Sequence, residues 1–198
     1  AKINAKRGQV PPYRDVAAII LKKSRQLLGE CDTAVRGTLA SAGAGAQWVT
    51  SGCSSTPEIA SNSVRLVVTS PPFLDVVQYA TDNWLRCWFL GIDPKSIQIT
   101  MARRVDAWQE VMTEVFKELA RVLEPGGAIA FEVGEVNKGT VRLEEAVLPC
   151  GMAAGLRPEL VLINAQEFTK TARCWGVDNN SKGTNSNRIV VFSKPVGG

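Results

Sequence analysis

Apolar residues recur at helical spacing from about Val16 to Leu28 (Val16, Ile19, Ile20, Leu27), with Lys22, Lys23 and Arg25 between them. Pro11-Pro12 just ahead suits a helix start, and Gly29 suits a stop. Small residues and glycine fill Thr38 to Ala46, where a loop or a loose helix end is expected. Gln47-Trp48-Val49-Thr50 is a short strand candidate, followed by a polar loop with Pro57, Ser61, Asn62 and Ser63. The β-branched run Val64-Arg65-Leu66-Val67-Val68-Thr69 ends abruptly at Ser70-Pro71-Pro72-Phe73. Buried parallel strands have this composition, and two prolines cannot continue a sheet interior.

Tyr79 to Leu90 reads as an apolar helix rich in aromatics (Trp84, Trp88, Phe89). Val105 to Leu123 is the clearest amphipathic helix. Its expected stripe is Val111, Val115, Leu119 and Val122, and Glu124-Pro125-Gly126-Gly127 ends it. A strand follows over Ala128 to Val133, then a helix over Glu144 to Ala154. Leu160 to Ala165 and Arg188 to Phe192 are the last strands, joined by a long polar connection. Strands alternating with helices predict an α/β fold with a mostly parallel sheet. The last two strands have no helix between them, which predicts an antiparallel pair at one edge.

Composition narrows the chemistry. The chain has 198 residues, 45% hydrophobic and 21% charged, which fits one globular domain spanning 1–198. Within it, 1–45 reads as a helical N-terminal segment and 46–198 as the main body. No apolar run is long enough to span a bilayer, and nothing at the N-terminus has signal-peptide character. The five cysteines, Cys31, Cys53, Cys87, Cys150 and Cys174, are odd in number and widely spaced. That argues against a disulfide framework or a structural zinc site, and for reduced thiols in a cytoplasmic protein that holds no metal. Histidine is absent, which removes imidazole acid–base chemistry and Ser-His-Asp or Cys-His nucleophiles together. A formal charge of +4 permits a nucleic-acid partner without demanding one.

The informative segment is Val67-Val68-Thr69-Ser70-Pro71-Pro72-Phe73. A strand ending in a rigid turn places that turn at the carboxyl edge of the sheet, where ligands bind in open α/β folds. Two prolines fix the backbone and donate no N–H, so both carbonyls are expected to point outward as acceptors. Ser70 adds a hydroxyl and Phe73 an aromatic face. Such a set suits an exocyclic aromatic amine, whose lone pair is delocalised into its ring. Acceptors on the N–H bonds bias that lone pair toward an electrophile, while the aromatic side chain stacks on the ring. Positioning and electrostatics supply the rate, with no histidine required. The plain alternative is a strand-terminating turn with Phe73 packed in the core.

Thr69-Ser70-Pro71-Pro72-Phe73 resembles the catalytic motif of S-adenosylmethionine-dependent DNA amino-methyltransferases. In that family Ser-Pro-Pro-aromatic is usually associated with N4-cytosine and Asp-Pro-Pro-Tyr with N6-adenine. The likeness extends, in family order, over roughly residues 47 to 194. It takes in Asn62-Ser63-Val64, Tyr79, Asp82-Asn83-Trp84-Leu85-Arg86, Trp88-Phe89-Leu90-Gly91, Arg121-Val122-Leu123-Glu124-Pro125-Gly126-Gly127 and Asn187-Arg188-Ile189-Val190-Val191-Phe192. The resemblance implies a partial Rossmann-like methyltransferase fold whose first two strands are absent. It also implies S-adenosylmethionine as cofactor, DNA as partner and a role in DNA modification of the restriction–modification kind. Ser70, Pro71, Pro72 and Phe73 would be catalytic, with Phe73 stacking on a base flipped from the duplex. Trp175 would lie close to that base, although aromatics in such a loop can equally pack as core. Lys170, Arg173, Lys182 and Arg188 surround the same loop and could meet phosphates, or simply form a solvated polar surface. Arg103-Arg104 is open to the same two readings.

Two family features are missing. There is no first strand ending in a glycine-rich turn, and no second strand carrying an acidic residue for the ribose. Ala42-Gly43-Ala44-Gly45-Ala46 has glycines but no preceding strand. Only about twenty residues separate it from the Pro-Pro turn, too few for the missing strand–helix–strand unit. Gly52-Cys53 stands where relatives usually have Gly-Asp, and Arg65 where Asp is common. Three explanations compete: a fragment of a longer enzyme, a half that needs a complementing subunit or a homodimer, and an inactive remnant. The last would make the chain a nucleic-acid- or protein-binding module.

Overall fold

The computed structural model describes residues 6–8, 10, 13–72, 74, 81, 83–97, 102, 104–136, 141–165 and 186–197. The chain divides into two compact units, Ala1–Trp48 and Val49–Gly198.

The first unit holds helices α1 (Val16–Leu27) and α2 (Thr33–Ala44). Each begins at an aspartate whose carboxylate accepts from a backbone amide of the first turn: Asp15 from Ala18 at 3.0 Å and Asp32 from Val35 at 2.8 Å. The expected loop or loose end at Thr38 to Ala46 is therefore mostly regular helix. The Asp32 cap and the alanines outweigh Gly37 and Gly43 there. The Arg36 guanidinium donates to the carbonyls of Cys31 (3.0 Å) and Leu28 (2.9 Å), fixing the turn between the helices. Neither helix buries a residue. Gln47 to Thr50, expected as a strand, pairs with no strand among the described residues and is irregular. Four residues without a ladder partner have no reason to stay extended.

The second unit is a sheet with two of its helices packed on one face. Its elements are β1 (Val64–Thr69), α3 (Trp84–Phe89), α4 (Val105–Val122), β2 (Leu123–Val136), β3 (Val141–Arg142), α5 (Leu143–Ala153), β4 (Arg157–Ala165) and β5 (Ser186–Ser193). The sheet order is β1-β2-β5-β4, with the short β3 paired to β2. β1 runs parallel to β2, and β5 runs antiparallel to both β2 and β4. Thus β1, β2 and β4 share one direction and β5 opposes them: a mixed α/β fold of mostly parallel strands. The expected antiparallel pair lies at one edge, but the later strand β5 is inserted inside β4.

Alternation along β2 and β5 sets the core. Ile129, Phe131 and Val133 on β2, and Val190 and Phe192 on β5, are fully buried. Phe116 of α4 packs between Phe131 and Phe192, with ring centroids at 4.7 and 5.2 Å. The buried positions of α4 are Trp108, Met112, Phe116 and Val122, with Val115 and Leu119 half-buried beside them. This corrects the stripe expected from the valines: Val111 is exposed, because the larger aromatic and Met side chains set the face that meets the sheet. Gly151 lets α5 approach β5, since a Cβ there would lie 2.4 Å from Phe192 Cε1. Gly126 takes φ +80° in the turn between α4 and the body of β2.

Two polar clusters tie the 53–63 segment to α4. Glu118 accepts from the Thr56 amide and hydroxyl, both at 2.6 Å. Arg121 bonds Glu118 and donates to the carbonyls of Thr56 and Ile59, each at 2.9 Å. These bonds hold the Glu118 carboxyl down to about 2. The Lys194 ammonium donates to the carbonyls of Ala120 (2.7 Å) and Leu123 (2.8 Å) and to Asn62 Oδ1 (2.7 Å), closing the carboxyl end of α4.

Candidate active site

The last β1 residue, Thr69, lies beside Phe131 of β2, so the Pro-Pro turn leaves the carboxyl edge of two parallel strands. Ser70 is exposed, and Pro71 and Pro72 are half-buried. The tip is therefore not sealed inside the protein.

One expectation needs correction. The Pro72 carbonyl does not point outward unengaged: it accepts from the Trp108 indole, Nε1 to O 3.2 Å. Trp108 is 1% exposed, and a buried indole N–H requires an acceptor. Ser70 Oγ and the Pro71 carbonyl receive no hydrogen bond among the described residues. The Pro72 carbonyl is thus engaged within the protein, while Ser70 Oγ and the Pro71 carbonyl take no described donor. Leu74, 3% exposed, packs in the same core cluster as Trp108, so the chain is anchored on both sides of position 73. Phe73 itself lies outside the described residues, as do Tyr79, Asp82, Arg103, Lys170, Arg173, Trp175 and Lys182.

The β2–β5 ladder brings further polar groups to the same edge. Gly134 faces Asn187, and the Asn187 amide donates to Glu132. Arg188, open in the sequence to a phosphate contact or a solvated surface, is mostly buried and pairs with Glu144 at the start of α5, Nε to Oε1 2.6 Å. Its parity explains this: residues 188, 190 and 192 face the helices. Arg104 is exposed and pairs with Asp106, which holds the aspartate carboxyl below its usual range. Arg65, exposed, lies 3.9 Å from the half-buried Glu124.

The described residues do not fit S-adenosylmethionine. Gly43 sits inside α2 and Gly45 caps its end, so the Ala42–Ala46 stretch is no phosphate- or nucleoside-cradling turn behind a strand. Cys53 is an exposed residue of a turn and supplies no carboxylate. Among the described residues no strand pairs with the outer edge of β1, and no cluster of three His, Cys, Asp or Glu could hold a metal. Cys31, Cys53, Cys87 and Cys150 are free thiols, and burial pushes the Cys150 thiol up. No helix is long and apolar enough to cross a membrane among the described residues.

Sequence reasoning missed Trp108 and the Glu132–Asn187 pair. A tryptophan one turn into an amphipathic helix announces burial, but its N–H partner is 36 residues away in sequence. Register alone brings Glu132 and Asn187 together.

No family model and no curated protein matches the chain. Solved structures do. A Thermus thermophilus protein named as a DNA modification methylase, complexed with S-adenosyl-L-methionine, is 21% identical with a TM-score of 0.45. That match covers 70% of this chain and 51% of the other. A SAM-dependent methyltransferase from Methanosarcina mazei is 10% identical, TM-score 0.41, over 74% of this chain and 66% of that one. The cyclase SpnF is 14% identical, TM-score 0.41, over 83% and 63%. The chain spans about half the length of the Thermus protein.

Proposed function

We propose that this chain is the target-base half of a DNA methyltransferase, moving a methyl group from S-adenosylmethionine to an exocyclic base amine, cytosine N4 by preference. The observation that carries this reading is the Ser70-Pro71 tip at the carboxyl edge, exposed at Ser70 and half-buried at Pro71, where Ser70 Oγ and the Pro71 carbonyl take no donor among the described residues. When bound, the donor supplies the electrophilic methyl group. Because the described residues do not fit it, we assign its site to a complementing subunit, a second copy or further sequence. The edge of β1 that is open among the described residues supports that assignment, since an unpaired strand edge presents a row of backbone donors and acceptors.

In this reading Ser70 Oγ and the Pro71 carbonyl accept from the amine and orient its lone pair. Pro72 completes the rigid turn, and Phe73 and Trp175 take the flipped base between aromatic faces. Lys170, Arg173 and Lys182 meet backbone phosphates, so affinity falls with salt. The test is titration of S-adenosylmethionine, then methyl transfer to duplex DNA, by the chain alone and co-expressed with the polypeptide encoded beside it. Transfer to cytosine N4 is expected with the complement, and Ser70→Ala should cut its rate about a hundredfold. Transfer unchanged in Ser70→Ala, or no donor binding in either form, rejects the proposal.

A further inference from the structure

We propose that Trp108 is a positioning residue for the Pro-Pro turn, a role that rests on the reading of that turn as the amine-binding tip. A proline pair has no N–H of its own with which to bind its surroundings. The turn must therefore be fixed by an outside donor, and the side-chain donor that reaches it among the described residues is the Trp108 indole. The bond does two things. It fixes the direction of the Pro72 carbonyl, the last group of the turn before the residue expected to stack on the base. It also occupies the Pro72 carbonyl, so that Ser70 Oγ and the Pro71 carbonyl remain as the acceptor pair.

The indole is well placed for this. It is 1% exposed, in a cluster with Met112, Phe116 and Leu74, on a helix whose face is locked against the sheet. Leu74 pins the chain two residues beyond the bonded carbonyl. The turn is thus held at two points by the same rigid layer, which is how a tip on a loop acquires a geometry fit for catalysis. A tryptophan that merely filled the core would do so equally well without its N–H.

The N–H is therefore the group to delete while the ring stays. Trp108 is replaced, at that site alone, by benzothienylalanine, which keeps the ring volume and removes the donor. Amide hydrogen exchange is then followed at Ser70 and Leu74, with Ile129 and Val190 as core references. Exchange at the turn should rise at least tenfold while the references hold. In the complemented enzyme, kcat should fall about tenfold to a hundredfold with the donor KM unchanged. Unaltered exchange at Ser70 and Leu74 overturns the inference, whether or not the chain transfers methyl groups. Faster exchange with unaltered kcat overturns the catalytic role. If the unmodified chain transfers nothing even with its complement, the proposed function fails and the exchange measurement still decides whether Trp108 holds the turn.

Discussion

The two faces of the sheet are built from alternate residues of the same strands, yet they meet opposite surroundings. On the helix side, Ile129, Phe131, Val133, Val190 and Phe192 are fully buried beneath α4 and α5. On the other, Leu66 is 59% exposed, Val68 75% and Leu162 52%. The register makes that second row continuous: Val68 faces Ala130, which faces Val191, which faces Leu160. Strands apolar at every position are those a fold covers on both sides. Here α4 and α5 cover one side over β2 and β5, while Val161 and Ile163 of β4 remain exposed on it. The other carries apolar side chains at Leu66, Val68 and Leu162 that these described elements leave largely in solvent.

The comparison is broken most severely by emptying the covered side. Phe116→Ala removes the ring that fills the space between Phe131 and Phe192, and should cost about 3–5 kcal/mol. Set against the roughly 5–15 kcal/mol that a domain possesses, this leaves a partly unfolded population, read from urea unfolding followed by circular dichroism. A loss under about 1 kcal/mol would mean the helix layer is not the core. Overfilling the same seam costs less. Gly151→Ala forces a methyl group against the Phe192 ring and should destabilise by about 1–3 kcal/mol, unless α5 slides away from β5.

A smaller effect lies on the far side of the helix layer, where Glu118 and Arg121 hold the 53–61 segment. The Glu118 carboxyl falls from 4.5 to about 2 on folding, its bonds to Arg121 and Thr56 leading. Because the folded value is the lower one, its stabilisation is whole above about 4.5 and disappears as pH drops toward about 2. Glu118→Gln should lose about 1 kcal/mol at neutral pH and flatten the stability profile between those limits. An acid-unfolding curve identical to the parent's would show that other carboxylates govern it.

How much of this could be read beforehand follows from the range of the interactions. Strand and helix positions came from local periodicity, so β1, α4, α5, β4 and β5 are found within a few residues of expectation. Local signals also mark the turn at Ser70, because proline announces itself. They could not set the α4 stripe, since valine spacing competes with Trp108, Met112 and Phe116 and size decides the winner. Nor could they show that Pro72 is engaged by a tryptophan, that Arg188 pairs with Glu144, or that β5 lies inside β4. Each of these depends on which strand sits next to which. The false strand at Gln47 to Thr50 is the same lesson reversed: β propensity without a partner does not make a strand.

The smallest stability effect carries the sharpest information about the open face. Replacing Leu66 and Val68 together by threonine keeps β-branched or β-compatible side chains on β1 while making the row polar. Since both residues are largely in solvent, the isolated chain should change by no more than about 0.5 kcal/mol. The same pair of changes at Ile129 and Phe131, on adjacent β2, should unfold it. If a complementing half or a second copy covers the open face, the threonine variant should lose that association in sedimentation while unfolding at the parent's urea midpoint. Association unchanged would place the partner elsewhere, such as the edge of β1 that no described strand covers. A loss above about 2 kcal/mol in the isolated chain would mean the row is already covered, and the contrast between the two faces would vanish with it.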